Sequence, residues 1–345
     1  MLSWEVVAIV VVIVALFFLL TNGLHDASSV VATMIACGAT TPAQAILVAA
    51  GLELVGAMFG GNAVALTIIQ LIDVPVKHQL LIVLLVAFMG AMSWNVITWR
   101  IGLPSSSTHA LVGGLMGATL VAVGCSHIQW GVQEFLGPFH RLNGIVKIVV
   151  SLLISPLLGF TAAFLLQKAM KFLLRRASFT VNTWLKRSQI VIAGLLAFSH
   201  GSNDSQKVIG LAALALAAGE WTSGIYSSRW LLLFGGLVMC TGILLGGWTI
   251  IKTLGRKVFP LRPLHSFDSL FASCGTLFLA NWLGMPISTT HLVAGTVIGV
   301  GAADDYRMVN WEIGREMLLA WLVTIPASGV VAGLLYFVIA GFVNL

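Results

Sequence analysis

Two short stretches place carboxylates, amides and imidazoles inside runs that are otherwise apolar. The first is Asn22-Gly23-Leu24-His25-Asp26-Ala27-Ser28-Ser29. The second is His200-Gly201-Ser202-Asn203-Asp204-Ser205-Gln206-Lys207. A charge at membrane depth costs about 2.5–3.5 kcal/mol on insertion scales and more in simulations. A chain that accepts this cost twice, at matching places, is expected to use Asp26 and Asp204. A buried carboxylate can bind a small cation such as Na+ or carry a proton. Asn22 and Asn203 add neutral oxygens that suit Na+. Gly and Asn beside each Asp can break a helix and free backbone groups. A plainer use stands open for Asp204: Lys207, three residues on, shares its helical face and can form a structural ion pair with it. Asp26 has only the adjoining His25.

A second pair of motifs carries hydroxyls. Gly102-Leu103-Pro104-Ser105-Ser106-Ser107-Thr108-His109 matches Gly284-Met285-Pro286-Ile287-Ser288-Thr289-Thr290-His291. In each, a Pro-containing entry delivers Ser and Thr to the start of an apolar helix, where they are strong N-caps. Such a start also presents free N–H groups and a positive dipole end, which bind phosphate-like anions. Ser106, Ser107, Thr108, Ser288, Thr289 and Thr290 are therefore candidates for one tetrahedral-oxyanion site, with plain helix capping as the alternative. Glu53 stands between Leu52 and Leu54 and is either a proton carrier or a protonated acid bonded to a neighbouring helix. His25, His109, His200 and His291 fall inside the motifs and are accessory proton-shuttle candidates, or satisfied structural histidines. Lys207 either adds charge to the anion site or neutralises Asp204.

The elements that must position these residues follow from composition. The 345 residues are 59% hydrophobic and 9% charged, with mean hydropathy +1.01. Soluble domains are about a quarter charged. Ten apolar segments run roughly over 4–36, 43–70, 80–98, 106–124, 143–166, 189–219, 229–251, 267–282, 288–303 and 315–343. Their continuous apolar character excludes a β-barrel, whose strands alternate. The first and sixth segments are expected to be interrupted at the Asp motifs. The net charge of +6 is not a nucleic-acid signal, because the basic residues sit at helix ends and in two loops. The four scattered cysteines show no metal spacing, so no metal beyond Na+ and no cofactor is expected.

Both motif pairs recur in the same order, five segments apart. An odd number of spans forces the halves to insert in opposite directions. The expected fold is an all-α polytopic membrane protein of two inverted-topology repeats with broken or re-entrant helices. Repeat 1 covers 1–167, a basic cytoplasmic linker 168–187, and repeat 2 188–345. Lys168, Lys171, Arg175, Arg176, Lys186 and Arg187 in the linker put both termini outside.

The pair Asn22–Asp26, the run Ser199–Lys207 and the motifs Pro104–His109 and Pro286–His291 together resemble the duplicated signature of the inorganic phosphate transporter family. The resemblance covers nearly the whole chain. It implies a multi-pass protein of a prokaryotic cytoplasmic membrane, a homodimer, and a symporter that imports inorganic phosphate with H+ or Na+. The resemblance also implies a metal–phosphate complex as an alternative form of the substrate. Family acids match Asp26, Asp204 and Glu53. A further family glutamate falls near Leu270, which is apolar here, with Asp268 close by. The same architecture carrying sulfate is the nearest alternative. A passive channel lacks a use for two buried carboxylates. An intramembrane phosphatase would need a nucleophile with a positioned partner and an arginine clamp, and no arginine stands among the candidate core residues.

Overall fold

The apolar segments fold almost entirely as helix, since a chain in lipid must satisfy its backbone internally. The structure is a computed structural model that describes residues 3–103, 105–222, 229–246 and 248–343. Pro104 of the first hydroxyl motif lies outside the described residues. The first half contains α1 (Trp4–His25), α2 (Ala27–Ala36), α3 (Pro42–Phe59), α4 (Ala63–Ile69), α5 (Lys77–Ile101), α6 (Ser107–Ala122), α7 (Val132–Leu136) and α8 (Gly144–Leu173). The second contains α9 (Val181–Ala218), α10 (Arg229–Leu245), α11 (Trp248–Lys252), α12 (Pro263–Trp282), α13 (Thr289–Asp305) and α14 (Trp311–Val343). Of the basic connection 168–187, only 174–180 stands outside helix.

Among the described residues, five spans are long and apolar enough to cross a membrane: Trp4–Ala36, Pro42–Phe59, Lys77–Ile101, Gly144–Leu173 and Trp311–Phe342. α9 is longer than any of these, and its polar motif keeps it out of that set.

The expected interruption is present as a helix boundary at the first Asp motif and needs correction at the second. α1 and α2 meet at Asp26, which keeps right-handed helical dihedrals (φ −85°, ψ −36°). α9 runs without a break through Asn203 and Asp204. The motif glycines serve close approach instead. A Cβ on Gly23 would run into the backbone of Met239 in α10, and one on Gly201 into the backbone of Glu53 in α3. The clear breaks come one segment later, between α3 and α4 and between α10 and α11.

The halves exchange partners. α6 packs on α14 and α13 on α8; α3 packs on α9 and α10 on α1. The same glycine spacing makes both outer contacts possible. Gly113 and Gly117 of α6 meet the backbone of Ile325 and Gly329, while Gly295 and Gly299 of α13 meet that of Pro156 and Phe160. Small residues one turn apart let helix backbones approach in lipid, where apolar burial gives no drive.

Contacts sort the connections into two ends. At one end Lys77 pairs with Glu220 at 2.8 Å, His127 Nδ1 contacts Asp73 O at 2.8 Å, and Trp221 donates to Glu5 O at 2.9 Å. At the other, Lys171 pairs with Asp304 at 2.5 Å and Gln189 donates to Pro263 O at 2.9 Å. The two hydroxyl loops count to opposite ends, yet they touch: Thr108 Oγ1 donates to Ile287 O at 3.3 Å. Both therefore dip to a common depth.

Candidate functional site

α6 and α13 begin where the sequence places their caps. Ser106 accepts from His109 N at 3.2 Å, and Ser288 from His291 N at 3.3 Å. These two hydroxyl oxygens satisfy helix ends, as capping requires. The following residues face the acids. Ser107 donates to Asp26 Oδ2, and Thr290 donates to Asp26 Oδ1 at 2.7 Å. The first Asp motif is thus held by hydroxyls from the starts of both helices. His25 Nδ1 stands 2.9 Å from the same carboxylate, so the adjoining histidine is a direct partner. Thr289 is buried, and its hydroxyl has no hydrogen-bond partner among the described residues.

Asp204 gathers a different set. Lys207 Nζ lies 2.6 Å from its Oδ1, so the i, i+3 ion pair foreseen as the plainer use is present. The same ammonium donates to Thr108 Oγ1 at 2.5 Å and to Ile287 O at 3.1 Å. Lys207 therefore joins the second Asp motif to both hydroxyl loops. Asn22 Nδ2 reaches across from α1 to Asp204 Oδ2 at 3.3 Å.

Glu53 and His200 extend this cluster. His200 Nδ1 is 2.7 Å from Glu53 Oε1, and its Nε2 is 3.1 Å from Asp204 Oδ2. A neutral imidazole has one N–H and one lone pair. Two carboxylates on its two nitrogens require an extra proton, on the ring or on one acid. The Glu53–His200–Asp204 chain is therefore built to hold a proton. All three residues are buried.

Asn203 does not mirror Asn22. Its Nδ2 donates to Asn281 Oδ1 at 2.6 Å and to Met285 O at 3.2 Å, away from Asp26. Its Oδ1 and that of Asn22 have no donor among the described residues. His109 and His291 pack ring on ring, centroids 4.6 Å apart, with His291 also against Trp321 at 4.0 Å. They touch none of the three acids through a hydrogen bond in the described residues.

Several positioning residues were not singled out from the sequence. Gln206 and Ser202 of α9 hold the break after α3: Gln206 Oε1 accepts from Val64 N at 3.0 Å, and both side chains donate to Gly60 O. Ser105 and Thr98 bracket His25 Nε2 at 3.3 and 3.4 Å. Asn281 anchors Asn203. Each is a polar residue in or beside an apolar run, which is the signal that could have found it.

Helices that exchange partners between two halves, with acids and hydroxyl-bearing helix starts meeting in the buried middle, define a multi-pass membrane transporter. Residues 22–332 match the model of the phosphate transporter family. The chain is 37% identical to a "Probable low-affinity inorganic phosphate transporter" of Rhizobium meliloti (strain 1021), over 94% of each chain. It is 34% identical to one of the same name from Bacillus subtilis (strain 168), over 97% of each. A solved structure described as "The sodium-dependent phosphate transporter" superposes with TM-score 0.84 at 26% identity, covering 97% of this chain and 99% of that one. The chain belongs to the phosphate transporter family, and it is an integral membrane protein and not an enzyme.

Proposed function

We propose that this protein is a symporter that imports inorganic phosphate together with a monovalent cation, H+ or Na+. One observation carries the coupling: Ser107 and Thr290, from the starts of both hydroxyl helices, donate to Asp26. A hydroxyl has one proton to donate. If it turns to a phosphate oxygen, Asp26 loses that donor and its buried carboxylate stands beside an anion with fewer partners. Two unit charges 4 Å apart at an effective dielectric near 20 interact by about 4 kcal/mol. A cation or proton at Asp26 offsets this repulsion, so phosphate and co-ion affinities rise together, as linkage requires. Lys207, on Thr108 and Asp204, would add the positive charge of the site on the other side. The Glu53–His200–Asp204 chain supplies a proton-holding element.

The inverted arrangement belongs to this proposal and is supported by the exchanged packing of α6, α8, α13 and α14. The end that bears Lys171, Arg175 and Arg262 is assigned to the cytoplasm by its basic charge. A homodimer is the proposed assembly, to be read as the mass of the protein in detergent by light scattering.

Phosphate uptake into proteoliposomes, with Na+ and pH gradients imposed separately, tests the function. Uptake driven by at least one gradient is expected, with sulfate a weaker competitor than arsenate. Uptake indifferent to both gradients would sink the coupled reading and leave a passive pathway.

A further inference from the structure

Away from the Asp26–Asp204 cluster, another carboxylate is buried with nothing bonded to it. Asp268 of α12 has no exposed surface, and neither of its oxygens has a hydrogen-bond partner among the described residues. Gln167 of α8 is equally buried, and both atoms of its amide are also without partners. Two layers of contacts bracket these side chains. On the inner side Ala163 of α8, Ala272 of α12 and Val300 of α13 pack together. On the outer side Lys171 of α8 pairs with Asp304 of α13 at 2.5 Å, and His265 of α12 contacts Asp304 at 3.3 Å. Gln167 stands midway between Ala163 and Lys171 on one face of α8. Asp268 stands between His265 and Ala272 on one face of α12. Successive turns of two packed helices therefore put Asp268 and Gln167 in the same interhelical layer.

This is distinct from the position near Leu270 at which the family resemblance places a glutamate. Two helical residues turn a side chain through about 200°, and Leu270 packs in the apolar core on another face.

We propose that Asp268, with Gln167, is a proton-binding site separate from the Asp26–Asp204 cluster and loaded from the end that carries Lys171, Asp304 and His265. An ionised carboxylate without a partner costs several kcal/mol at membrane depth. One bound proton removes that cost. A metal cation needs several oxygens, and the layer supplies only the carboxylate and one amide oxygen. The nearby hydroxyls of Ser269, Ser273 and Thr296 are bonded among themselves at 2.8–3.0 Å. The charged or titratable groups around it include Arg262 just before α12, His265 and Cys274 on α12, Lys171 on α8, Asp304 on α13, Lys186 on α9 and Cys37 beside α2. Lys168 of α8 turns over the Phe164 ring. None is bonded to Asp268. At the mouth, burial acts to raise the Asp304 carboxyl. The Lys171 hydrogen bond and the charges of His265, Lys171 and Arg262 outweigh it and hold Asp304 below the usual carboxylate range. The entrance thus stays ionised beside a cavity of about 390 Å³ lined by Arg256, Arg262 and His265, giving protons a polar approach.

The proposal deepens the transporter reading, and its first test does not depend on transport. Infrared difference spectra of the purified full-length protein, recorded across a pH step, should show a protonated-carboxyl stretch that Asp268→Asn abolishes. Gln167→Leu should displace that band and its titration midpoint, which keeps the test alive if the Asp268 variant folds poorly. Bands unchanged by both substitutions would overturn the site. In proteoliposomes, Asp268→Asn should flatten the dependence of phosphate exchange on the pH at the Lys171 face. A wild-type pH profile in the folded variant would also overturn it. Absence of phosphate exchange in the wild type would instead count against the transport reading and leave the infrared result to decide the proton site.

Discussion

Asp26 accepts from Ser107, Thr290 and His25, three donors that lie far apart or adjacent in the chain but on three different helices or their junctions. Hydrogen bonds to charged groups contribute about 1.5–3 kcal/mol, and each 1.4 kcal/mol is tenfold in affinity. Thr290→Val keeps the shape and removes one donor, so phosphate affinity should weaken by roughly 10- to 100-fold, read by titration calorimetry at several co-ion concentrations. Unchanged affinity in both Thr290→Val and Ser107→Ala would return these hydroxyls to mere support of the carboxylate. Asp204 separates stability from coupling. Asp204→Asn strands the Lys207 ammonium, and removing one partner of a buried pair costs about 3–5 kcal/mol. The bonds of Lys207 to Thr108 and Ile287 should hold the loss near the lower end. Adding Lys207→Met should recover much of the melting temperature, because neighbours in one network are non-additive. Asp26→Asn strands no lysine and should lose gradient-driven uptake with a smaller fall in melting temperature. Wild-type uptake and co-ion dependence in both folded variants would remove the coupling role. The residue types at this site were legible in the sequence, because each is an expensive polar group in an apolar run. Their pairing was not: the Asp26–Thr290 and Glu53–His200 contacts join distant segments, and no spacing rule reaches across them. Gln206 and Asn281 gave the same signal of polarity but no hint of what they hold.

At the scale of single helices, local signals divided into those with one physical meaning and those with two. Ser106 and Ser288 before apolar runs mean N-caps, and they cap α6 and α13. Glycine inside an apolar run means either a hinge or a close approach. Gly201 reads as a hinge from its Asn and Asp neighbours, yet α9 passes through it intact because the backbone of α3 needs the space a Cβ would take. Along α9 His200 contacts Asp204, Lys207 donates to Asp204 and Gln206 donates to Ser202, while further partners come from α3, the α3–α4 break and α12, so the helix carries its polar motif without unwinding. Gly201→Ala should therefore lower the melting temperature in detergent, since overpacking a tight contact costs about 1–3 kcal/mol. Gly51→Ala, where a Cβ meets nothing within 4 Å, should raise stability by about 0.5–1 kcal/mol through helix propensity. Equal effects at the two sites would show that Gly201 is not set by packing.

The recurrence of the two motif pairs was legible in the sequence, and the exchanged packing of the helices that carry them was not, because segments bearing the same motifs can stack side by side or interleave with the same sequence pattern. The interleaving has a consequence for biosynthesis. A chain leaving the ribosome delivers α6 long before α14, the helix that its Gly113 and Gly117 are shaped to meet. α8 likewise waits for α13. The first half must dwell in the lipid with the Gly113–Gly117 face of α6 and the Pro156–Phe160 face of α8 uncovered until α13 and α14 are inserted, and it cannot reach its final form as a nascent fragment. Cutting the gene within the turn at 174–180 should give two fragments that are each degraded when made alone and that accumulate when made together, read by immunoblot of membranes. The translation of α14 is then the step that gives α6, and the hydroxyl motif at its start, a packing partner, so maturation of the transport site waits on that helix.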